Sequence, residues 1–568
     1  MKKTSKNKSF KQILKNGHKH LLIFIQNDKW LIRITFVFFI VYKFSLITIS
    51  FSGRNLAPEP DDSYSYITLI RLVFEKGLFS NTPAIPFTSY LHTLYTPYVI
   101  VMALLAKIMM LNAEEIFKAS FYFGTVLLAI ILVKFLTSLT KNRKVIASSL
   151  FFLALYNGSG DYHGFYWVVP SFFALATFFI LFIQLTSKFK YWYVWVVFMS
   201  LIFVLMHPIS VYASSIFVFW SVFLGISERK IKWTLILRSI FVLTSSVVWF
   251  FLSQIYFLSK GIVIESESSI LGVKRVGLEY LRFLGKYINN ATNAPPQIDD
   301  VKTITTQTIT KTTPFSYIQQ DNWKIIKKEY FDILFPTPLL FLVFALFFFF
   351  LVKERQYKVI ALYFAVMLFV TISTITWFGY RSLQYLWPIT FIVVAYGIFF
   401  TIRFLQNKLK DKYWKLLLIP VYVMVVAFIL CVNTLNLIWA KNLNISKDFN
   451  LDKKCAKFLL ENTAANEKIN YEGKTANAVF LSNGLYEREA NLLQSEIKKG
   501  EYLVKSFNSK PDYYEPQNYI LRFLLARTSR REPPVNNETP IQNVIETNKT
   551  ENIVKDCGDF KIYKIEAR

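Results

Sequence analysis

Apolar runs recur along most of the chain, and short basic turns separate them. A helix crossing the ~30 Å hydrocarbon layer of a bilayer needs about 20 such residues. Spans are predicted at about 30–51, 117–140, 144–157, 165–186, 191–206, 209–226, 233–257, 333–352, 358–377, 383–402 and 414–438, eleven in all. Five turns between them carry clustered positive charge. These are Lys141, Arg143 and Lys144; Lys188 and Lys190; Arg229, Lys230 and Lys232; Lys353, Arg355 and Lys358; and Arg403, Lys408, Lys410, Lys412 and Lys415. Basic loops are retained on the cytoplasmic side, and these eleven spans put all five there.

The stretch 93–111 is also apolar enough to span, but counting it would invert every later loop. It is expected to be a helix or re-entrant piece lying against the outer face, in keeping with Pro97, Lys107 and the acidic turn Glu114-Glu115. Just before it, Ile67, Ile70, Val73 and Phe74 follow helical spacing and predict an interfacial amphipathic helix over Ser63 to Lys76.

Composition agrees with a membrane chain: 568 residues, 54% hydrophobic, 56 Phe and a mean hydropathy of +0.35. The net charge of +28 sits in tails and membrane flanks, so it points to a bilayer and not to nucleic acid. Gly-rich phosphate loops, HExxH and CxxC do not occur, which leaves nucleotide-driven transport and soluble-type metal hydrolysis without support. The first apolar run follows a basic segment and has no small-x-small cleavage pattern, so it reads as an uncleaved anchor running from inside to outside.

The predicted fold class is an all-α polytopic membrane protein with a small α/β C-terminal domain. Residues 1–29 form a basic cytoplasmic tail, 30–441 the transmembrane part, and 442–568 a soluble tail in which Asn, Lys and Glu replace Phe. In that tail, 477–481 and 560–565 are expected as short strands, and Arg530 to Glu551 as a disordered insert. Cys455 and Cys557 can pair in an oxidising compartment, whereas Cys431 reads as an apolar filler.

With this topology the outer side holds loops 52–116, 158–164 and 258–332, the tail, and most of the unusual polar residues. Asp61 and Asp62 follow directly on the first span. Carboxylates at a membrane border suit either deprotonation of an acceptor or capture of a cation, although Asp62 can equally cap the helix after it. Asp161 lies in a Gly-rich turn, where Asp also serves backbone geometry. His163, two residues on, leaves a divalent metal possible. His207 before Pro208 reads as a turn or packing histidine. Arg381, at the mouth of the apolar run 383–400, either snorkels or holds an anion.

Asp61-Asp62-Ser63-Tyr64-Ser65-Tyr66, the second-loop Asp161 and the late Arg381-Ser382-Leu383-Gln384-Tyr385-Leu386-Trp387-Pro388 together resemble the GT-C superfamily of polyprenyl-phosphate-dependent glycosyltransferases. That group includes the protein O-mannosyltransferases and the bacterial aminoarabinose transferases. The tail is similar to the C-terminal domains of bacterial members. The Trp-Trp-Asp of the oligosaccharyltransferase branch is missing, and Ser382 stands where a Tyr is usual.

The resemblance implies an enzyme in a multi-pass inner membrane, with its site and tail on the extracytoplasmic side. It implies a polyprenyl-phosphate sugar donor and a glycan, lipid or protein acceptor. Asp62 or Asp61 would be the base, Arg381 would hold the donor phosphate, and Asp161, His163 and Tyr66 would position acceptor or donor. No cofactor is certain. A secondary transporter remains as an alternative from the same charges, as does a flippase or polymerase of surface polysaccharide.

Overall fold

In this computed structural model the described residues are 28–51, 60–77, 96–156, 170–259 apart from 188 and 208, parts of 323–330, 338–373, 379–408, 452–471 apart from 465 and 466, and the tail segments around 480–492, 500–506, 549–557 and 560–567. The predicted span 414–438, most of loop 258–332 and the turn with Asp161 and His163 lie outside them.

Each of the other ten predicted spans coincides with helix. α1 is Asp28–Phe51, α2 Pro60–Lys76, α3 Thr96–Met109, α4 Ala113–Leu139, α5 Arg143–Leu155, α6 Pro170–Thr186 and α7 Trp192–Met206. α8 (Ile209–Ala213) and α9 (Ser215–Ser227) share one predicted span, and α10 (Trp233–Ser259), α11 (Pro338–Lys353), α12 (Tyr357–Ser373) and α13 (Leu383–Lys408) follow. Among the described residues, five stretches are long and apolar enough to cross a membrane: 30–49, 113–139, 209–227, 233–253 and 383–404. The chain is therefore an integral membrane protein.

Water is scarce in a bilayer, so turns need internal donors. The α4–α5 turn supplies its own: Asn142 caps α5 by accepting from Lys144 N–H (3.1 Å) and Val145 N–H (3.4 Å). At the other end of α4, Asn112 and Glu115 exchange side-chain and backbone hydrogen bonds, both 2.9 Å, in a capping box.

Contacts between elements gather the basic turns at one end of the bundle. Lys358 donates to the carbonyl of Ser138 at the foot of α4 (3.0 Å), and Lys141, Lys232 and Glu228 lie near enough to Lys358 to act on it electrostatically. Arg238 donates to the carbonyls of Leu185 (3.3 Å) and Ser187 (2.9 Å), tying the α6–α7 turn to α10. Lys353 stands 4.0 Å over the ring of Phe404, next to Arg403. All five predicted basic turns are thus linked on one side.

Helices α1 and α5 run parallel, because Phe38 stacks on Phe151 at 5.1 Å and, five residues further along both, Lys43 reaches the Tyr156 carbonyl. α3 is 14 residues long, or about 21 Å, short of a full crossing. It packs with its buried Tyr98, Val99, Met102 and Ala106 in the same core as Ile67, Ile70 and Val73 of α2. The predicted amphipathic helix is therefore present, but it starts at Pro60. Asp61 and Asp62 lie inside its first turn, so Asp62 is not its cap; a proline fixed at helical φ explains the earlier start.

The described tail residues form a five-stranded sheet: β1 (Lys468–Tyr471), β2 (Glu489–Leu492), β3 (Tyr502–Ser506), β4 (Lys549–Asp556) and β5 (Phe560–Ala567), in the order β2-β1-β3-β5-β4. β1 is parallel to both β2 and β3, and β5 is antiparallel to both β3 and β4. Alternation places Ile469, Tyr471, Val504 and Ile562 on one face, against Cys455 and Leu459 of α14 (Asp452–Asn462), while Leu503, Tyr563 and Ile565 form a cluster of their own. Cys455 and Cys557 form a disulfide that closes 102 residues of chain.

Two expectations change here. Phe480 is helical where a strand was expected, and β4 already includes Lys549 to Glu551, which pair with β5 and so are not part of a disordered insert. A side chain placed at Gly484 would come 3.9 Å from the Arg71 guanidinium, which sets the tail beside α2.

The grouping of the basic turns predicts opposite accessibility for two introduced cysteines. With Cys431 replaced and the Cys455–Cys557 bond intact, an impermeant thiol reagent applied to intact cells should label Thr305→Cys and spare Ser187→Cys. The reverse pattern would invert the whole topology.

Candidate functional site at the end opposite the basic turns

The first turns of α4 and α6, the end of α7 and the start of α13 meet at the end away from the basic turns. The sequence places most of the candidate polar residues there. Tyr66, in α2 one turn beyond the aspartates, sits edge-on to Tyr98 (5.6 Å) and parallel to Phe117 (6.4 Å). Tyr98 in turn touches Phe173 in the first turn of α6 (5.6 Å). These aromatic contacts seat α2 on α3 and on the start of α4, with α3 in turn touching the first turn of α6.

On the other side, a short 3-10 turn, Gly379–Ser382, delivers Arg381 to the entrance of α13. Arg381 is half-buried, and one of its terminal nitrogens stands 3.2 Å from Nε2 of His207. His207 closes α7 with an extended backbone and is only 2% exposed. Its Nδ1 lies 3.3 Å from the backbone N–H of Ile209.

A neutral imidazole has one acceptor nitrogen, so it cannot accept from both groups at once. The Ile209 N–H donates to Nδ1 and a guanidinium only donates, so the two contacts compete for the single acceptor nitrogen of the ring. Protonation of His207 would remove the acceptor and set two cations side by side. The sequence reading treated His207 as a turn or packing residue. The only hint otherwise was that a histidine and an arginine fell on the same predicted side.

Behind this pair the wall is polar. Ser210, Gln384 and Tyr385 are buried, with Ser210 and Gln384 within interaction reach of the Tyr385 hydroxyl, so these three polar groups face one another.

The structure therefore brings Arg381 and His207 into contact and puts Tyr66 at the same end of the bundle. The side chains of Asp61, Asp62, Asp161 and His163 lie outside the described residues. Among the described residues no three or more His, Cys, Asp or Glu side chains cluster as a metal site.

If His207 holds Arg381, His207→Ala should lower stability by about 1–3 kcal/mol, the usual effect of removing one partner of a buried hydrogen bond. His207→Gln, which keeps an acceptor oxygen, should recover part of it. Thermal unfolding of the detergent-solubilised protein measures both, and equal midpoints for His207→Ala and the native chain would discount the contact.

No protein-family model matches the chain, and no curated protein matches it. Among solved structures it is similar to the oligosaccharyltransferase of Archaeoglobus fulgidus in its apo form, at 11% identity and a TM-score of 0.49 over 88% of this chain and 69% of that one. It is similar to AglB of the same organism in complex with an inhibitory peptide and a dolichol-phosphate, at 12% identity and a TM-score of 0.48 over 84% and 69%. It is also similar to ArnT from Cupriavidus metallidurans bound to undecaprenyl phosphate, at 10% identity and a TM-score of 0.42 over 93% and 97%. A likeness of this degree carries neither an activity nor a ligand across to this chain.

Proposed function

We propose that the protein is a membrane glycosyltransferase of the GT-C kind, moving a sugar from a polyprenyl-phosphate donor to an acceptor hydroxyl or amide at the outer face. The observation that carries this reading is the arginine held by His207 at the end that also bears the aspartate helix. An anion site and a carboxylate pair on one membrane edge suit a substrate that is half lipid and half sugar.

The donor enters from the bilayer with its phosphate at the level of Arg381, and the acceptor enters from water. Asp62, or its neighbour Asp61, takes the acceptor proton as the acceptor atom attacks the anomeric carbon. The bond from that carbon to the phosphate oxygen breaks with inversion, and the electron pair leaves on polyprenyl phosphate. Arg381 meets the charge that grows on the departing phosphate. Tyr66 helps to shape the acceptor side, with Asp161 and His163 as further positioning groups. Adjacent carboxylates also form a donor set that a hard divalent cation accepts, so activity is best measured with and without a chelator.

The disulfide in the tail agrees with an oxidising compartment, and the tail's approach to Arg71 agrees with its lying on the side of the site. Both support a site and tail on the extracytoplasmic side. A transporter would need a series of ionisable groups along a path through the membrane, whereas the residues assigned to the chemistry here belong to one end.

Asp62→Asn and Asp61→Asn should leave membrane insertion intact, and at least one should lower transfer by about a hundredfold, the scale of a lost general base. Release of polyprenyl phosphate from a defined donor is the readout. Full activity in both single variants and the double variant would remove the assignment.

For the phosphate contact, Arg381→Lys should weaken donor use by losing the two-pronged geometry, and Arg381→Ala should weaken it further, by about 2–4 kcal/mol of transition-state stabilisation. Near-normal turnover and donor affinity in Arg381→Ala would make Arg381 an interfacial anchor instead.

A further inference from the structure

Lys43 is a lysine within the first membrane helix, and it is 0% exposed. Its amine donates to the main-chain carbonyl of Tyr156 and lies 5.8 Å from the ring of Phe39. Ionisable groups at this depth are costly, so they persist where they have a task.

The lengths of the two helices give that task a location. α5 has 13 residues and rises about 20 Å, so it stops roughly 10 Å short of crossing the hydrocarbon layer. Lys43 stands 13 residues beyond Trp30, the first residue of the α1 span, and is therefore also about 20 Å up. The parallel register of α1 and α5 brings the two to one level.

A helix that ends inside a membrane leaves carbonyls with no intrahelical donor. The Tyr156 N–H tightens the last turn by bonding to the Leu153 carbonyl (3.2 Å), and Lys43 takes the carbonyl of Tyr156 itself. The ring of Tyr156 packs on Phe391 of α13 at 5.5 Å. From this junction the chain reaches Asp161 in five residues, and α13 leads back to Arg381 in ten.

The geometry points to Lys43 as a positioning residue: it caps α5 in mid-membrane and thereby sets the depth from which the outer segment carrying Asp161 departs, and the seat of α5 against α13. This role rests on the proposed glycosyl transfer for its consequence, but not for its geometry. Lys43 touches neither donor nor acceptor, so its loss should affect turnover and leave donor affinity alone.

The test compares Lys43→Met with Lys43→Gln: both are one atom shorter than lysine, and only glutamine keeps a donor at its end. Lys43→Met should lower kcat at least tenfold with donor KM within twofold of native, and Lys43→Gln should stay within threefold in kcat. Independently of activity, a cysteine at Ser159, with Cys431 replaced and the tail disulfide intact, should change its rate of labelling by an impermeant maleimide at least tenfold in Lys43→Met and little in Lys43→Gln.

Unchanged kcat and unchanged labelling in Lys43→Met would overturn the proposal, as would a loss expressed in KM alone. If Lys43→Met does not accumulate, Lys43→Asn replaces it as the donor too short to reach, and equal labelling in Lys43→Asn and Lys43→Gln would overturn the proposal. If the native protein transfers no sugar, the labelling comparison still decides the positioning role while the enzymatic reading falls.

Discussion

Inside a bilayer, every main-chain carbonyl needs a donor from the protein itself, and the architecture follows from how the helix ends meet that demand. Where a turn reaches the basic end, lysines and arginines supply the donors: Lys358 for Ser138, Arg238 for Leu185 and Ser187. Where α5 stops early, a lysine from a different helix does so. The same chemistry that closes the turns ties helices distant in sequence together, so the ends are also the joints of the fold.

This gives the two ends different characters. One is crowded with positive charge, and two of its cations, Lys358 and Arg238, donate to backbone carbonyls. At the other, Arg381 meets the ring of His207 at the entrance of α13. Between the ends the packing is aromatic and tight. A Cβ at Gly397 would overlap the ring of Phe347, so glycine is what allows α13 to lie close on α11.

The proposed chemistry uses this division. In the proposed reaction a lipid phosphate at the bilayer edge needs a cation to meet it, and acceptor deprotonation needs a carboxylate in reach of water. Both needs would be met at one end, where Tyr66 seats α2 against Tyr98 of α3 and Phe117 of α4.

The sequence by itself determined where the helices lie, because spanning length and the absence of interior charge are local properties. It also determined which turns share a side, since charge bias acts loop by loop, and the strand at 560–565 was readable from alternation. Pairings between remote residues were beyond it. That His207 faces Arg381, that Lys43 caps a helix 113 residues away and that Cys455 meets Cys557 depend on how helices and strands pack, and each residue taken alone has an ordinary reading. A lysine in the middle of an apolar run was a visible signal, but only the early stop of α5, fixed by packing against α1 and α13, decided what it holds.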